Sequence, residues 1–315
     1  TLESANIIKQ HIEDATSMRE MCQKVIKDAK RSTSENVPDE EKVITLAVDY
    51  CQNMEMPFFG KDQPGETYYF TPKTINLLGI VDCNQEKEVL HAYAYSEEEG
   101  GKGGNNVASL IMKHLEDRGL LDGKQRKRLN IVMDNCPGQN KNNFVLRLGP
   151  YLQEKGYFAE VLFIFLIVGH TKNVSDRLFN TLKRLYRKQN VFTMGMLLEA
   201  MTHEQVIAYN VKWQEFKDWD KYLNRLYKKM SAVLKWQIFQ SSTELGVANI
   251  FFKSSNVEDA RTLTESLQKA GVVGDEQKGV HLEQPTGQYP KRPGLREIKQ
   301  VKLSKNVLAP CTRGV

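Results

Sequence analysis

Hydrophobic positions along this chain change rhythm as the sequence proceeds. Lys42 to Cys51 is apolar and β-branched (VITLAVDYC after Lys42), and Glu66 to Cys83 holds two apolar stretches (TYYF, then INLLGIVDC) that predict one long or two short strands. Val89 to Ser96 (VLHAYAYS) alternates with period two, as a half-buried strand does. These runs predict an antiparallel meander. Asn105 to Leu121 then places Val107, Leu110, Ile111, His114 and Leu115 at helical spacing, and Leu129 to Asp134 is a short apolar run of the kind buried on both faces of a sheet. Asn140 to Lys155 is amphipathic through Phe144, Val145, Leu148, Tyr151 and Leu152, with Gly149 and Pro150 expected to kink or divide it. Ala159 to Val168 is the most apolar strand, and Val174 to Lys188 reads as a third helix.

Strand, strand, strand, helix, strand, helix, strand, helix is the element order of a ribonuclease H-like fold. The expected class is therefore α/β, a mixed sheet of about five strands flanked by helices, with further mainly helical elements beside it. Three aspartates mark this order: Asp49 in the first strand, Asp134 closing the first strand that follows a helix, and Asp176 opening the third helix. An unpaired charge is costly to bury, so a carboxylate inside an apolar strand implies a cation or hydrogen-bond donors beside it. In the expected fold Asp49 and Asp134 lie on neighbouring parallel strands and the helix of Asp176 crosses their ends. Two divalent ions about 4 Å apart, held by such carboxylates, clamp the attacking and leaving oxygens of a phosphodiester. Oxygen-only ligands favour Mg²⁺ or Mn²⁺ over Zn²⁺. The bland alternative for each residue alone is a turn or a helix N-terminus.

The residues also carry a resemblance. DNCPGQNKNNFV (Asp134 to Val145), GHTKNVSDRLF (Gly169 to Phe179) and VDYCQNMEMPFF (Val48 to Phe59) resemble the catalytic core of transposon-derived DDE/DDD-type transposase-like proteins, eukaryotic chains related to retroviral integrases. The resemblance covers about Val43 to Thr202 and extends to the tail around Lys291 to Pro310. It implies that Asp49, Asp134 and Asp176 are the acidic triad and metal ligands, with two Mg²⁺ or Mn²⁺ ions when DNA is bound. The third acid is Asp where many integrases have Glu.

Around the triad, Asn135, Gln139, Asn140 and Asn142 follow Asp134 in a Pro-Gly turn, where amides and free N–H groups suit either a phosphate or the fixing of the loop; capping by Asn140 is the structural alternative. His170, six residues before Asp176, is a candidate for orienting water, contacting phosphate or moving a proton, against a purely structural role. Net charge is +5, with 44 Lys and Arg against 39 Asp and Glu. The distribution says more than the total: KQRKR (Lys124 to Arg128), the helix bearing Asp176, and Lys291 to Lys305 concentrate positive charge suited to a phosphate backbone. Lys141, Arg177, Lys183, Arg184, Arg187 and Lys188 are the nucleic-acid candidates, with a solvated basic face the bland reading, favoured for KQRKR.

Five cysteines form no CxxC pair, which argues against zinc; reduced thiols acting as small hydrophobes are expected. No apolar stretch reaches membrane-spanning length and no signal peptide is evident, so a nuclear or cytoplasmic chain is expected; Thr1 as first residue raises the expectation of a missing natural N-terminal portion. The domain reading is a helical segment and linker over 1–40, the catalytic core over 41–202, and a helical or mixed extension with a basic tail over 203–315. In that extension Trp213, Phe216, Trp219, Tyr222 and Leu226 fall at helical spacings and are expected in the core, while Val233 to Phe239 and Val247 to Phe252 look like strands or buried runs. Glu97 to Asn106 (EEEGGKGGNN) lacks the GKS/T ending of a phosphate loop and reads as a flexible connection, which with the early antiparallel strands disfavours a Rossmann-like ATPase. The expected activity is metal-dependent cleavage or strand transfer on DNA, as in DNA recombination, with DNA as partner and a homo-oligomer as a candidate assembly. The alternative is a domesticated, catalytically weak descendant that binds nucleic acid or protein.

Overall fold

The computed structural model describes residues 2–33, 37–69, 71–167, 169, 174–246, 248–257 and 261–267. In chain order the elements are α1 (Leu2–Arg31), β1 (Val43–Tyr50), β2 (Met54–Met56), β3 (Lys73–Asp82), β4 (Val89–Ser96), α2 (Gly104–Asp117), β5 (Arg126–Met133), α3 (Asn143–Leu146), α4 (Leu148–Glu154), β6 (Phe158–Phe165), α5 (Val174–Tyr186), α6 (Met194–Met201), β7 (Val206–Asn210), α7 (Trp219–Leu226), β8 (Ile238–Ser242), β9 (Asn249–Lys253) and β10 (Thr262–Ser266). Among the described residues, all strands join one ten-stranded mixed sheet, ordered β10-β9-β8-β6-β5-β1-β3-β4-β7, with β2 paired to β3.

The three-strand meander forms as expected: β1 pairs β3 and β3 pairs β4, both antiparallel. β5 then joins the other side of β1 in parallel, and β6 joins β5 in parallel. The expectation of about five strands is corrected to ten. The residues after 202 add β7 beside β4 and β8 beside β6, so the region read as an extension lengthens the same sheet at both edges. The helical spacing read over Trp213 to Leu226 is only partly a helix: VIAYN before it pairs as β7, half-buried Trp213 opens a 3₁₀ turn, and α7 begins where Asp218 caps it by accepting from the Lys221 N–H. Phe216, Trp219, Tyr222 and Leu226 are nevertheless buried. TYYF is no strand. Pro64 and Gly65 start a turn instead, with the Thr67 N–H and hydroxyl both bonded to the Pro64 carbonyl, and 65–69 is 3₁₀.

Alternation along the strands sorts side chains onto two faces. Leu46 and Val48 of β1 join Ile131 and Met133 of β5 in a core closed by α2, α3, α4 and α7. Ala47 and Cys51 face the other way, under α5 and α6, while α1 covers Val132, Leu162 and Ile164 on that same side. α5 is held there by Leu178, Phe179, Leu182 and Tyr186, each a buried side chain worth about 1.5–3 kcal/mol. No helix among the described residues is long and apolar enough to cross a membrane.

Candidate metal and nucleic-acid site

Backbone pairing brings the first two aspartates together. In the parallel β1–β5 pair Val48 lies opposite Met133, and Asp49 and Asp134 are the next residues of their chains. Ala47 and Val132, two residues earlier and also in register, face α1 and α5, so the period of two turns both carboxylates to that face. A cavity of about 400 Å³ lies on the same face between α1 and α5, lined by Ala47 and Val132 but by none of the three aspartates.

The third carboxylate arrives on α5, and a glycine sets how closely. Gly79 is the register partner of Asp49 across β1–β3. A Cβ on Gly79 would stand 2.5 Å from Phe179 Cε1, so the bare backbone is what lets the Phe179 ring settle on the sheet. Asp176 lies three residues before Phe179, about one turn along the helix. Arg177 ties the same turn to Glu88 at 2.9 Å, and Lys30 of α1 reaches that carboxylate at 3.0 Å.

The three charges feel one another. The Asp49 carboxyl is pushed up to about 7, first by burial, then by the charges of Asp134 and Asp176; the Tyr50 N–H and Lys102 act the other way. Asp134 is also raised, by burial first and by Asp176, while the Asn140 amide and the Cys136 N–H oppose the rise. All three aspartates are half-buried. Oxygen donors that raise one another's pKa fit a hard divalent cation, and Asp49, Asp134 and Asp176 are the residues that would hold it. Among the described residues, however, no three His, Cys, Asp or Glu side chains stand close enough to hold a metal ion as they are.

The turn after Asp134 is built to hold that carboxylate and itself. Asn140 is fully buried and donates its amide to Asp134, so its role is to orient the acid; the capping expected of Asn140 falls to Asn142, whose Oδ1 accepts from the N–H groups of Phe144 and Val145. The Cys136 carbonyl gathers the N–H groups of Gln139, Asn140 and Lys141. Asn135 bonds to Gln237 of the segment before β8, and Gln139 gives its carbonyl to the Asn142 amide. The helix expected over 140–155 starts at Asn143 and divides at Arg147, as expected of Pro150, which has no N–H to give to the Leu146 carbonyl one turn earlier; the buried Arg147 guanidinium turns to the Lys228 carbonyl and Asn224.

Lys141 corrects the sequence reading. It is 1% exposed, donates to the Leu234 carbonyl and Gln237, and is pushed down to about 8 by burial, so it is a core residue and not a phosphate contact. Arg177, Arg184, Arg187 and Lys188 are exposed along α5 and just beyond it, and Lys183 is half-buried with a bond to Gln52 at 3.3 Å. The KQRKR run sits at the other end of β5, with Lys124, Arg126 and Arg128 each paired to a carboxylate. His170, Lys291 to Lys305 and Cys311 lie outside the described residues. Cys22, Cys51, Cys83 and Cys136 are free thiols, the first three buried, and burial pushes Cys51 up to about 11.

Lys102 is the residue the sequence did not flag. The glycine-rich connection carries it to the end of β1, where Nζ donates to the Cys51 carbonyl at 2.9 Å and stands 4.9 Å from the centre of the Tyr50 ring. A lone lysine among glycines before a helix was the only available signal.

Comparison with known proteins adds a family and little else. Solved structures of NurA show slight similarity: one bound to dAMP and manganese is 16% identical over 66% of this chain and 41% of that one, with a TM-score of 0.16. Another with manganese is 18% identical over 48% and 35%, TM-score 0.14, and a third is 15% identical over 78% and 50%, TM-score 0.17. The chain thus spans half or less of those proteins, and likeness of that degree carries no argument about fold or function. No curated protein matches the chain. Residues 73–257, more than half of the sequence and including β3 to β9, match the model of a domain of unknown function, and the chain belongs to that family, DUF7869.

Proposed function

We propose that this chain is a metal-dependent DNA phosphodiester-cleaving or strand-transferring enzyme of the transposase and integrase type, built on a ribonuclease H-like core. The run β4-β3-β1-β5-β6, antiparallel and then parallel, supports that fold reading. The observation that carries the function is the convergence of Asp49 and Asp134 at adjacent parallel strand ends, with the charge of Asp176 acting on both. Packing alone does not call for three carboxylates placed so that burial first, and then the charges of Asp134 and Asp176, lift Asp49 to about 7.

In this reading Asp49 and Asp134 hold Mg²⁺ or Mn²⁺, and Asp176 completes the shell from α5. Divalent ions held there would lower the pKa of a water or a DNA 3′-hydroxyl and would offset charge on the leaving oxygen. Asn140 keeps the Asp134 carboxylate turned toward the site, and the exposed cations of α5 draw the phosphate backbone. DNA is the expected partner.

A second reading, a binding protein descended from such an enzyme, is favoured by the lack of a closed three-ligand cluster among the described residues. Incubation of the purified chain with labelled DNA in Mg²⁺ or Mn²⁺, with chelator as control, separates the two. The enzyme reading expects metal-dependent strand breaks or joins; salt-sensitive binding without any of them would favour the second.

A further inference from the structure

We propose that Lys102 is a substrate-phosphate ligand of this site: its ammonium takes a non-bridging oxygen of the phosphodiester that lies against Asp49 and Asp134. The inference rests on the reading of the chain as a DNA-acting enzyme and deepens it by one residue.

The loop between β4 and α2 is not the free connection its composition suggests. A Cβ on Gly100 would lie 2.8 Å from the Phe216 ring and 2.9 Å from Asn106 Nδ2, and one on Gly104 would lie 2.6 Å from the Asn142 side-chain amide. These close approaches draw the loop onto the first turn of α2 and onto the turn that follows Asp134. Lys102 is thereby delivered to the backbone carbonyl and the ring of the two residues that follow Asp49. Several other half-buried lysines are neutralised by contact: Lys30, Lys42, Lys73 and Lys113 each stand 2.6–3.2 Å from a carboxylate, whereas Lys183 bonds to the Gln52 amide and Lys155 lies over the Tyr151 ring. Lys102 has no such ion pair among the described residues, although Asp49 and Lys102 act on each other electrostatically. One hydrogen bond to Cys51 uses one of the three donors of an ammonium. The cation is therefore held at the end of β1, close enough to act on Asp49 but with no ion pair to it among the described residues, and with donors left for an anion. Anchoring the loop to Cys51 needs a donor but no charge. A phosphate needs the charge.

The test compares wild type, Lys102→Gln, Lys102→Arg and Asp49→Asn for binding of a labelled DNA duplex in Ca²⁺ over a salt series, with Mn²⁺ binding followed separately by electron paramagnetic resonance. Lys102→Gln should weaken DNA binding about tenfold or more and reduce the salt slope by about 0.9, as expected for one lost charge-assisted phosphate contact. Lys102→Arg should recover most of the affinity, and Mn²⁺ affinity in Lys102→Gln should stay equal or tighten. An unchanged salt slope in Lys102→Gln, or loss of Mn²⁺ binding together with thermal stability, would overturn the inference and leave Lys102 as a loop anchor. In either case, loss of Mn²⁺ binding in Asp49→Asn keeps the wider reading standing. Failure of the wild type to bind DNA would remove both.

Discussion

Where β1 and β5 begin, carboxylates meet cations; where the same strands end, carboxylates meet one another. At the first end Asp82 takes Arg118 at 2.7 Å, Asp39 takes Lys42 at 2.6 Å and Lys124 at 3.1 Å, Asp122 takes Arg126 at 3.1 Å, and Glu160 takes Arg128 at 2.6 Å. At the second end Asp49 is raised by burial and then by Asp134 and Asp176, and the Lys102 ammonium bonds to the Cys51 carbonyl and to no carboxylate among the described residues. Both ends belong to one sheet and carry the same residue types, so the difference is one of arrangement. Pairing removes most of the penalty of half-burying a charge, and a site kept only for stability has no reason to forgo it. An end at which Asp49 and Asp134 are raised instead suits a cation from outside.

The hardest test of that contrast exchanges one carboxylate at each end. Asp49→Asn or Asp176→Asn should cut metal-dependent DNA cleavage by about a thousandfold or more, the effect of losing several kcal/mol of metal-based transition-state stabilisation, while circular dichroism shows an intact fold. Asp82→Asn, at the paired end, should leave cleavage within about twofold. For Asp176 the capping alternative expects a change of at most about 1 kcal/mol, because Asn caps nearly as well as Asp. Wild-type cleavage by Asp176→Asn would remove that residue from the site.

Gly79→Ala probes how the third carboxylate is placed. The added Cβ meets Phe179 at 2.5 Å and Leu90 Cδ1 at 2.7 Å, a clash with side chains in packed surroundings that should cost about 1–3 kcal/mol in urea unfolding. Because the displaced ring sits on α5 one turn from Asp176, Mn²⁺ affinity should fall as well. Lost stability with unchanged Mn²⁺ binding would show that α5 does not set the metal site.

The contrast also has a pH signature. A carboxyl raised from its ordinary 3.8 to about 7 binds its proton more tightly in the folded than in the unfolded chain, so stability is lost as pH rises between those values. Urea midpoints at about pH 5 and about pH 8 should differ by about 2 kcal/mol in that direction, once solvent screening at this half-buried site is allowed for. Asp49→Asn should flatten the difference and be more stable than wild type at the higher pH, while Mg²⁺ should stabilise only the wild type. A stability that rises over this interval would mean that Asp49 is paired after all.

How much of this was legible in the sequence follows from range. Apolar runs announce strands by their own composition, which is why β1, β4, β5 and β6 fall within a few residues of their expected bounds. Motif chemistry likewise put Asp49 and Asp134 at neighbouring strand ends. Burial by distant segments leaves no local trace. Lys141 sits in a loop rich in polar residues and looks solvent-bound until Leu234 and Gln237, far along the chain, close over it. Gly79 reads as a weak spot in a strand until Phe179 packs on it. Lys102 sat among glycines that suggested mobility, and only the approach of Phe216 and Asn142 shows that they serve contact. β7 and β8 are short and need partners at the sheet edges to be recognised.

The smallest expected effect sharpens the comparison most cleanly. Arg128 and Glu160 are register partners on β5 and β6, bonded at 2.6 Å with side chains 33% and 15% exposed. Glu160→Gln keeps the shape and removes the charge, so stability should fall by at most about 1 kcal/mol, the ceiling for a partly exposed pair. Raising salt to about 1 M should shrink the gap, since screening already weakens the wild-type pair. The same exchange of carboxylate for amide thus has opposite signs at the two ends: it removes an attraction at Glu160 and a repulsion at Asp49. Mn²⁺ binding should be untouched in Glu160→Gln and lost in Asp49→Asn. If both variants shifted stability in the same direction near neutral pH, the two ends would not differ in their electrostatics, and the case for a cation at the carboxylate end would lose its physical basis.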